Sequence, residues 1–251
     1  MINDLEDLKV DTCQVDADGK ILETFNVPDA DGQVVAGSCR EDLDEELVSR
    51  YIAAVRETTP RLVNENDTDV LYYTGVVADR AGTELTVAGL YALGEYPQRL
   101  LPHLTLTAAV EGRGDGNTEY ALPMVAVREV IANALVHRDL SEASRGKGID
   151  LRITHDGFRL TNPGGLWGIT VDRLGSGEHP AVNEKLYQIC RNVQGHNGRV
   201  IEAMGTGIRQ ARRELRNAGM AEPRFYDNGV SFTVRFPNSA LIPDGDLTWL
   251  G

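Results

Sequence analysis

The stretch Arg128-Glu129-Val130-Ile131-Ala132-Asn133-Ala134-Leu135-Val136-His137-Arg138-Asp139 governs how the rest of the chain is read. Val127, Val130, Ile131, Ala134 and Leu135 recur at helical intervals, so the spacing predicts an amphipathic helix from Pro123 to Val136. Glu129, Asn133 and His137 stand at i, i+4 and i+8, a polar stripe beside that apolar face. A carboxylate and an amide one turn apart can serve a nucleoside triphosphate. The amide oxygen can ligate a hard Mg²⁺ ion, and the carboxylate can orient or deprotonate an attacking water. The same pair also fits an ordinary helix edge that hydrogen-bonds to a neighbouring loop.

Working outward, Ile149, Leu151 and Ile153 alternate, Asp156-Gly157 turns the chain, and Phe158 to Thr161 returns, which predicts a hairpin. Asn162-Pro163-Gly164-Gly165 leaves that hairpin with glycines where backbone can approach a flat base closely. A helix is expected over Val182–Arg191. Another opens at Thr206 or Gly207, with Ile208, Ala211, Leu215 and Ala218 on one face and Gly219 as its stop. Gly205-Thr206-Gly207 sits directly before it, where free N–H groups favour phosphate, although such a glycine pair also serves as a plain cap. Val230, Phe232, Val234 and Phe236 predict a last strand entered through Asp227-Asn228-Gly229.

Upstream, residues 103–111 alternate as a strand, and Leu43, Leu47, Tyr51 and Val55 mark a helix that Pro60 ends. Asp67 to Thr74 reads as a short helix stopped by Gly75. Residues 15–40, rich in Asp and Gly, read as short strands or an irregular arm. Helices interspersed with hairpin-linked strands imply a two-layer α/β sandwich on a largely antiparallel or mixed sheet, with a smaller N-terminal α+β region. The division expected is an acidic N-terminal region over 1–112, a second domain over 113–240 and a tail over 241–251.

The 251 residues are 41% hydrophobic and 25% charged, the balance of a folded rather than a disordered chain. No apolar run reaches the ~18 residues of a membrane span. The acidic start, Met1 to Asp7, resembles neither a signal nor a transit peptide, so a cytoplasmic location is expected. Cys13, Cys39 and Cys190 form neither a disulfide framework nor a metal knuckle. The net charge of -13 is unevenly placed: residues 1–70 hold 18 acids against 6 bases, leaving 20 against 19 for the remainder. Long-range attraction of the whole chain to a polyanion is therefore not expected. Arg209, Arg212, Arg213 and Arg216 form a helical basic face that suits either DNA or solvent.

Two glycine-rich runs are decoys. Gly112-Arg113-Gly114-Asp115-Gly116-Asn117 misplaces the third glycine of a dinucleotide fingerprint, and Arg145-Gly146-Lys147-Gly148 lacks the outer parts of a P-loop.

The three segments 128–139, Asn162-Pro163-Gly164-Gly165-Leu166 and Gly205-Thr206-Gly207-Ile208 together resemble one family. It is the GHKL-like ATPase domain of bacterial Schlafen/AlbA-type transcriptional regulators, often labelled "ATP-dependent DNA helicase RecG-related" or "RecG C-terminal". Thr86 to Gly94, with Tyr96-Pro97-Gln98-Arg99, is similar to that family's preceding segment, so the likeness spans about residues 40–237. The resemblance implies a Bergerat-type sandwich binding ATP and Mg²⁺, with weak Mg-dependent ATPase activity and no helicase activity. It implies Glu129 as general base and Asn133 as the metal ligand. It also implies Asn162 at the adenine-reading position, where the wider superfamily has Asp, and Gly164, Gly165, Gly205, Thr206 and Gly207 in the glycine boxes. His137 and Arg138 complete the nucleotide set. The implied partners are a nucleotide and a second copy of the chain. DNA is implied only through domains not recognisable in this sequence. The alternative is a degenerate, non-catalytic ATPase fold that dimerises or scaffolds DNA-binding parts.

Overall fold

Short-range signals set most of the helices. In the computed structural model, which describes residues 12–15, 21–25, 29–111, 122–176, 181–195, 198–199, 201 and 207–238, the chain opens with an antiparallel hairpin of β1 (Thr12–Val15) and β2 (Ile21–Phe25). Asp44 caps α1 (Glu45–Thr58) by accepting from the Leu47 amide, and Glu45 and Glu46 complement the helix dipole. Pro60 ends the helix, as the sequence predicts. Asn66 caps α2 (Asp67–Tyr73) and Thr86 caps α3 (Val87–Leu93), each through its side-chain oxygen. Of the expected stripe Leu43, Tyr51 and Val55 are buried, while Leu47 is only partly so and Val48 and Ile52 join the core instead.

The second half builds the sheet. It contains β3 (Leu106–Val110), α4 (Met124–His137), β4 (Ile149–Thr154), β5 (Gly157–Pro163), α5 (Glu184–Asn192), the two-residue strands β6 (Gln194–Gly195) and β7 (Gly198–Arg199), α6 (Gly207–Asn217), β8 (Arg224–Asp227) and β9 (Ser231–Pro237). The order of the main sheet is β3-β4-β5-β9-β8, with β3 parallel to β4 and every other pair antiparallel. This is the mixed-sheet α/β architecture expected.

One face of the sheet carries α4 and α6. Ala126, Val127, Val130 and Ala134 of α4 and Ala211 and Leu215 of α6 form one core with Ile149, Leu151, Phe158, Leu160, Val234 and Phe236. Phe158 and Phe236 stack with ring centroids 4.8 Å apart. The other core gathers α1, α2 and α3 with Leu104 and Leu140, and it also takes Leu186, Ile189 and Val193 from α5 and its end. The expected division near residue 112 thus falls in the chain between β3, which belongs to the main sheet, and α4, while α5 packs back onto the first core.

Three details depart from the sequence reading. Arg224–Asp227 forms a strand, so Asp227-Asn228-Gly229 is the turn of a β8–β9 hairpin rather than a lead-in from a loop. Val230 is 65% exposed and lies outside β9, whose inward residues are Val234 and Phe236. Ala218 is likewise exposed, beyond the end of α6. The run 112–117 lies outside the described residues.

Candidate functional site

The polar stripe of α4 meets the start of α6. Glu129 is a carboxylate set among the buried residues of α4, only 7% exposed. Gly207, the first residue of α6, lies directly against it. A β-carbon built on Gly207 would stand 2.7 Å from Glu129 Oε2 and 2.9 Å from Asn133 Nδ2. Both distances are below any normal contact, so the helix start approaches the carboxylate and the amide this closely only because residue 207 has no side chain. Asn133 Nδ2 is buried and has no hydrogen-bond partner among the described residues. A buried donor in that state favours an acceptor brought by something else.

β5 supplies the second unpartnered group. Side chains alternate along a strand, so Asn162 shares the core-facing side with Phe158 and Leu160. Asn162 is 4% exposed and its Oδ1 also lacks a partner among the described residues.

The exit from β5 is stitched to the end of α4. The Asp139 amide donates to the Pro163 carbonyl at 2.9 Å. The Asp139 carboxylate accepts from the Ser141 amide at 2.8 Å and the Ser144 hydroxyl at 2.6 Å. Burial pushes this carboxyl up, but the Ser144 and Ser141 hydrogen bonds more than offset it and hold it below its ordinary value. Gly164 adopts φ +89°, and a β-carbon there would fall 2.6 Å from Asp139 Cβ. Gly165 is equally crowded, with Asp227 Oδ1 and Gly229 Cα each 2.8 Å from its missing β-carbon. Protein atoms thus occupy the space beside both glycines.

His137 and Arg138 close α4. Burial pushes the His137 imidazole below its ordinary value, so it is neutral at pH 7. Arg138 is completely buried. Its Nη2 donates to the Lys147 carbonyl at 2.8 Å and the His103 carbonyl at 3.2 Å, and its own carbonyl accepts from Asn183 Nδ2 at 2.7 Å. The guanidinium therefore ties the end of α4 to the segment before β3 and to the loop before β4.

Of the residues singled out in the sequence, the fold unites Glu129, Asn133 and Gly207, and joins Asp139 to the Asn162–Gly165 exit. Gly205 and Thr206 lie outside the described residues. Among the described residues there is no group of three or more His, Cys, Asp or Glu side chains suited to a metal ion. Mg²⁺ held by one amide, phosphates and water needs no such cage. Sequence reading missed the positioning role of Asp139, although it ends the decisive stretch, and that of Asp227, whose carboxylate accepts from the Leu166 and Gly229 amides. No helix among the described residues is long and apolar enough to cross a membrane.

Comparison with known proteins places these features in context. No curated protein matches the chain. A solved structure of the DIP2311 protein from Corynebacterium diphtheriae shares the fold, with a TM-score of 0.59 and 19% identity over 85% of this chain. The matched region spans 40% of that protein's chain. A family of the HATPase type, described as "Putative ATP-dependent DNA helicase recG C-terminal", matches residues 146–236. That range holds Asn162, Gly164, Gly165 and Gly207 and begins after α4. Over residues 146–236, therefore, the chain is similar to an ATPase-like family carrying the RecG C-terminal label that the resemblance implied.

Proposed function

We propose that this chain binds ATP with Mg²⁺ where α4, the end of β5 and the start of α6 meet, and that it serves as the nucleotide-binding regulatory module of a transcriptional regulator of the GHKL-like, Schlafen/AlbA-associated type. The observation that carries this reading is the close approach of Gly207 to Glu129 and Asn133, with Asn133 Nδ2 and Asn162 Oδ1 buried and without a hydrogen-bond partner among the described residues. The residues present suit the group: Asn162 Oδ1 is an acceptor for an exocyclic amine, Asn133 offers an oxygen and a donor, and Gly207 leaves backbone bare at a helix start. Mg²⁺, when bound, neutralises triphosphate charge that an acidic protein would otherwise repel.

Within this reading each residue has a distinct task. Asn133 orients the phosphate end, with its oxygen toward the metal. Glu129, in its dry setting, accepts a proton from water and sets the weak turnover of the site. Gly205 and Thr206 extend the glycine box that Gly207 ends. Neutral His137 and buried Arg138 act from the end of α4, fixing the pitch at which Glu129 and Asn133 are presented. Gly164 and Gly165 let Asp139 and the 227–229 turn close behind Asn162.

A second reading, a non-catalytic fold that only dimerises or scaffolds, draws on the space beside Gly164 and Gly165, which Asp139, Asp227 and Gly229 already fill. Calorimetric titration and thermal melting with a non-hydrolysable ATP analogue separate the two. Saturation at ~100 Kd adds about 2.7 kcal/mol of stability, and Asn133→Ala removes most of that gain. If neither ATP nor GTP with Mg²⁺ shifts the melting curve at millimolar concentration, the scaffold reading stands.

A further inference from the structure

The sheet face away from α4 and α6 carries a row of arginines. Strand register sets Arg152 of β4 opposite Arg159 of β5, Arg159 opposite Arg235 of β9, and Arg235 opposite Arg224 of β8. Four arginines thus stand side by side on four neighbouring strands, spanning about 14 Å at the usual strand spacing. Among the described residues none on this face belongs to a buried cluster, and Arg159, Arg224 and Arg235 are exposed. Arg152 is compensated by Asp150 at 2.9 Å and Glu111 at 3.5 Å. Arg159, Arg224 and Arg235 form no ion pair among the described residues. The nearby Asp156 instead pairs with His155 at 3.0 Å.

This arrangement runs against sheet stability. Like charges directly opposite one another destabilise a pair of strands, whereas alternating Arg and Glu would give equal solubility and favourable pairs. Protection of a sheet edge explains a charge on the edge strand β8 but not Arg159 and Arg235 on interior strands. By contrast, three of the four arginines on the basic face of α6 that the sequence suggested are engaged by carboxylates. Arg216 and Arg212 reach Glu222 at 2.9 Å and 3.8 Å, and Arg213 reaches Glu214 at 3.2 Å.

Two further features give the face its chemistry. Arg152, Arg159 and Arg235, together with Glu111 and Asp156, line a cavity of about 300 Å³ beside the row. Tyr226, 47% exposed, stands two residues along β8 from Arg224 on the same face, opposite Thr233, with Thr161 next across the sheet. A charged row with an exposed ring beside it is the combination that holds a phosphodiester backbone while a base stacks. The arginine row is four strands wide. The ~12 Å major groove of a duplex admits a helix or a two-stranded ribbon, not so broad a surface. The acidity of the chain does not forbid the contact, because it lies largely in residues 1–70 and is screened beyond about 8–10 Å. We propose that the open face of the sheet binds single-stranded nucleic acid, with Arg159, Arg235 and Arg224 on successive phosphates and Tyr226 under a base.

The test uses the full chain and fluorescence anisotropy with labelled twelve-nucleotide dT and U oligomers and a duplex of the same length. Three phosphate contacts to a single strand give a slope of about -2 in log K against log salt, roughly a twentyfold loss between 50 and 200 mM. Arg159→Gln/Arg224→Gln/Arg235→Gln should flatten the slope and weaken binding by about tenfold per arginine. Tyr226→Ala should weaken it about tenfold with the slope unchanged. The triple variant should melt at or above the wild-type temperature, since it removes opposed like charges. Arg212→Gln/Arg213→Gln should bind as wild type does. Whether dT or U binds more tightly assigns the strand as DNA or RNA. Absence of salt-sensitive binding, wild-type affinity in the triple variant, or a preference for the duplex would each overturn the proposal.

Discussion

Gly207→Ala puts a methyl group where the site has no room for one. The new carbon would sit 2.7 Å from Glu129 Oε2 and 2.9 Å from Asn133 Nδ2, so reaching an ordinary contact of about 3.4 Å requires retreats of about 0.7 and 0.5 Å. Glu129 is only 7% exposed, and Asn133 lies in the same helix, locked to α6 through Ala126, Val130, Ala211 and Leu215. Overpacking of this kind costs about 1–3 kcal/mol, and the better helix propensity of alanine returns at most about 1 kcal/mol. The expected net loss is about 1–2 kcal/mol, at about 2–4 °C of melting temperature per kcal/mol for a chain of this size. Glu129→Ala removes the tighter of the two clashes. In that background Gly207→Ala should cost only about half as much, a coupling of about 0.5–1 kcal/mol, against the ~0.3–0.5 kcal/mol scatter of independent sites. Urea titrations of the four proteins measure the cycle. Equal costs of Gly207→Ala in both backgrounds would refute the placement of α6 against Glu129.

Three other outcomes follow from the same geometry. Glu129→Gln should leave nucleotide affinity nearly unchanged while lowering any hydrolysis by ~10²–10⁴-fold, and equal steady-state turnover by the two proteins, above contaminant level, removes Glu129 from the role of base. His137 has a folded pKa below its ordinary 6.5, so the unfolded chain takes up the proton first: its contribution is full above pH 6.5 and is lost as pH falls below it. Melts between pH 7.5 and 5.5 should show that loss, and His137→Gln should reduce it; an unaltered pH profile in the variant counts against a buried neutral imidazole. Arg138→Ala should destabilise by about 3 kcal/mol or more, by emptying a fully buried position and stripping the His103 and Lys147 carbonyls of their donor. A loss within ~0.5 kcal/mol by denaturant titration contradicts that account.

Much of the architecture was legible in the sequence because its causes are local. The stop at Pro60, the short helix opening at Asp67 and the alternation of Ile149, Leu151 and Ile153 each depend on a few adjacent residues, whereas the seven-residue α3 (Val87–Leu93) was not anticipated. The strand Arg224–Asp227 escaped notice because only Phe225 of its four residues is apolar and partly buried, so no alternation marks it. The sequence also suggested which residues of α4 carry chemistry, since Glu129 and Asn133 share a helical face whatever that helix packs against.

Partners distant in the chain were decided only by the tertiary structure. That Gly207 closes over Glu129 and Asn133, that Asp139 braces Pro163, and that α5 returns to the first core all follow from helices and loops docking across long separations. The arginine row is the plainest case. Arg152, Arg159, Arg224 and Arg235 each occupy an outward position on their own strands, which alternation alone predicts for the three strands it identifies. Their alignment depends on register, and a slip of one residue in any strand would turn its arginine to the opposite face. Sequence periodicity determines which side of an element faces the core, because that is a property of one segment. What stands beside it is a property of two segments, and only their packing decides it.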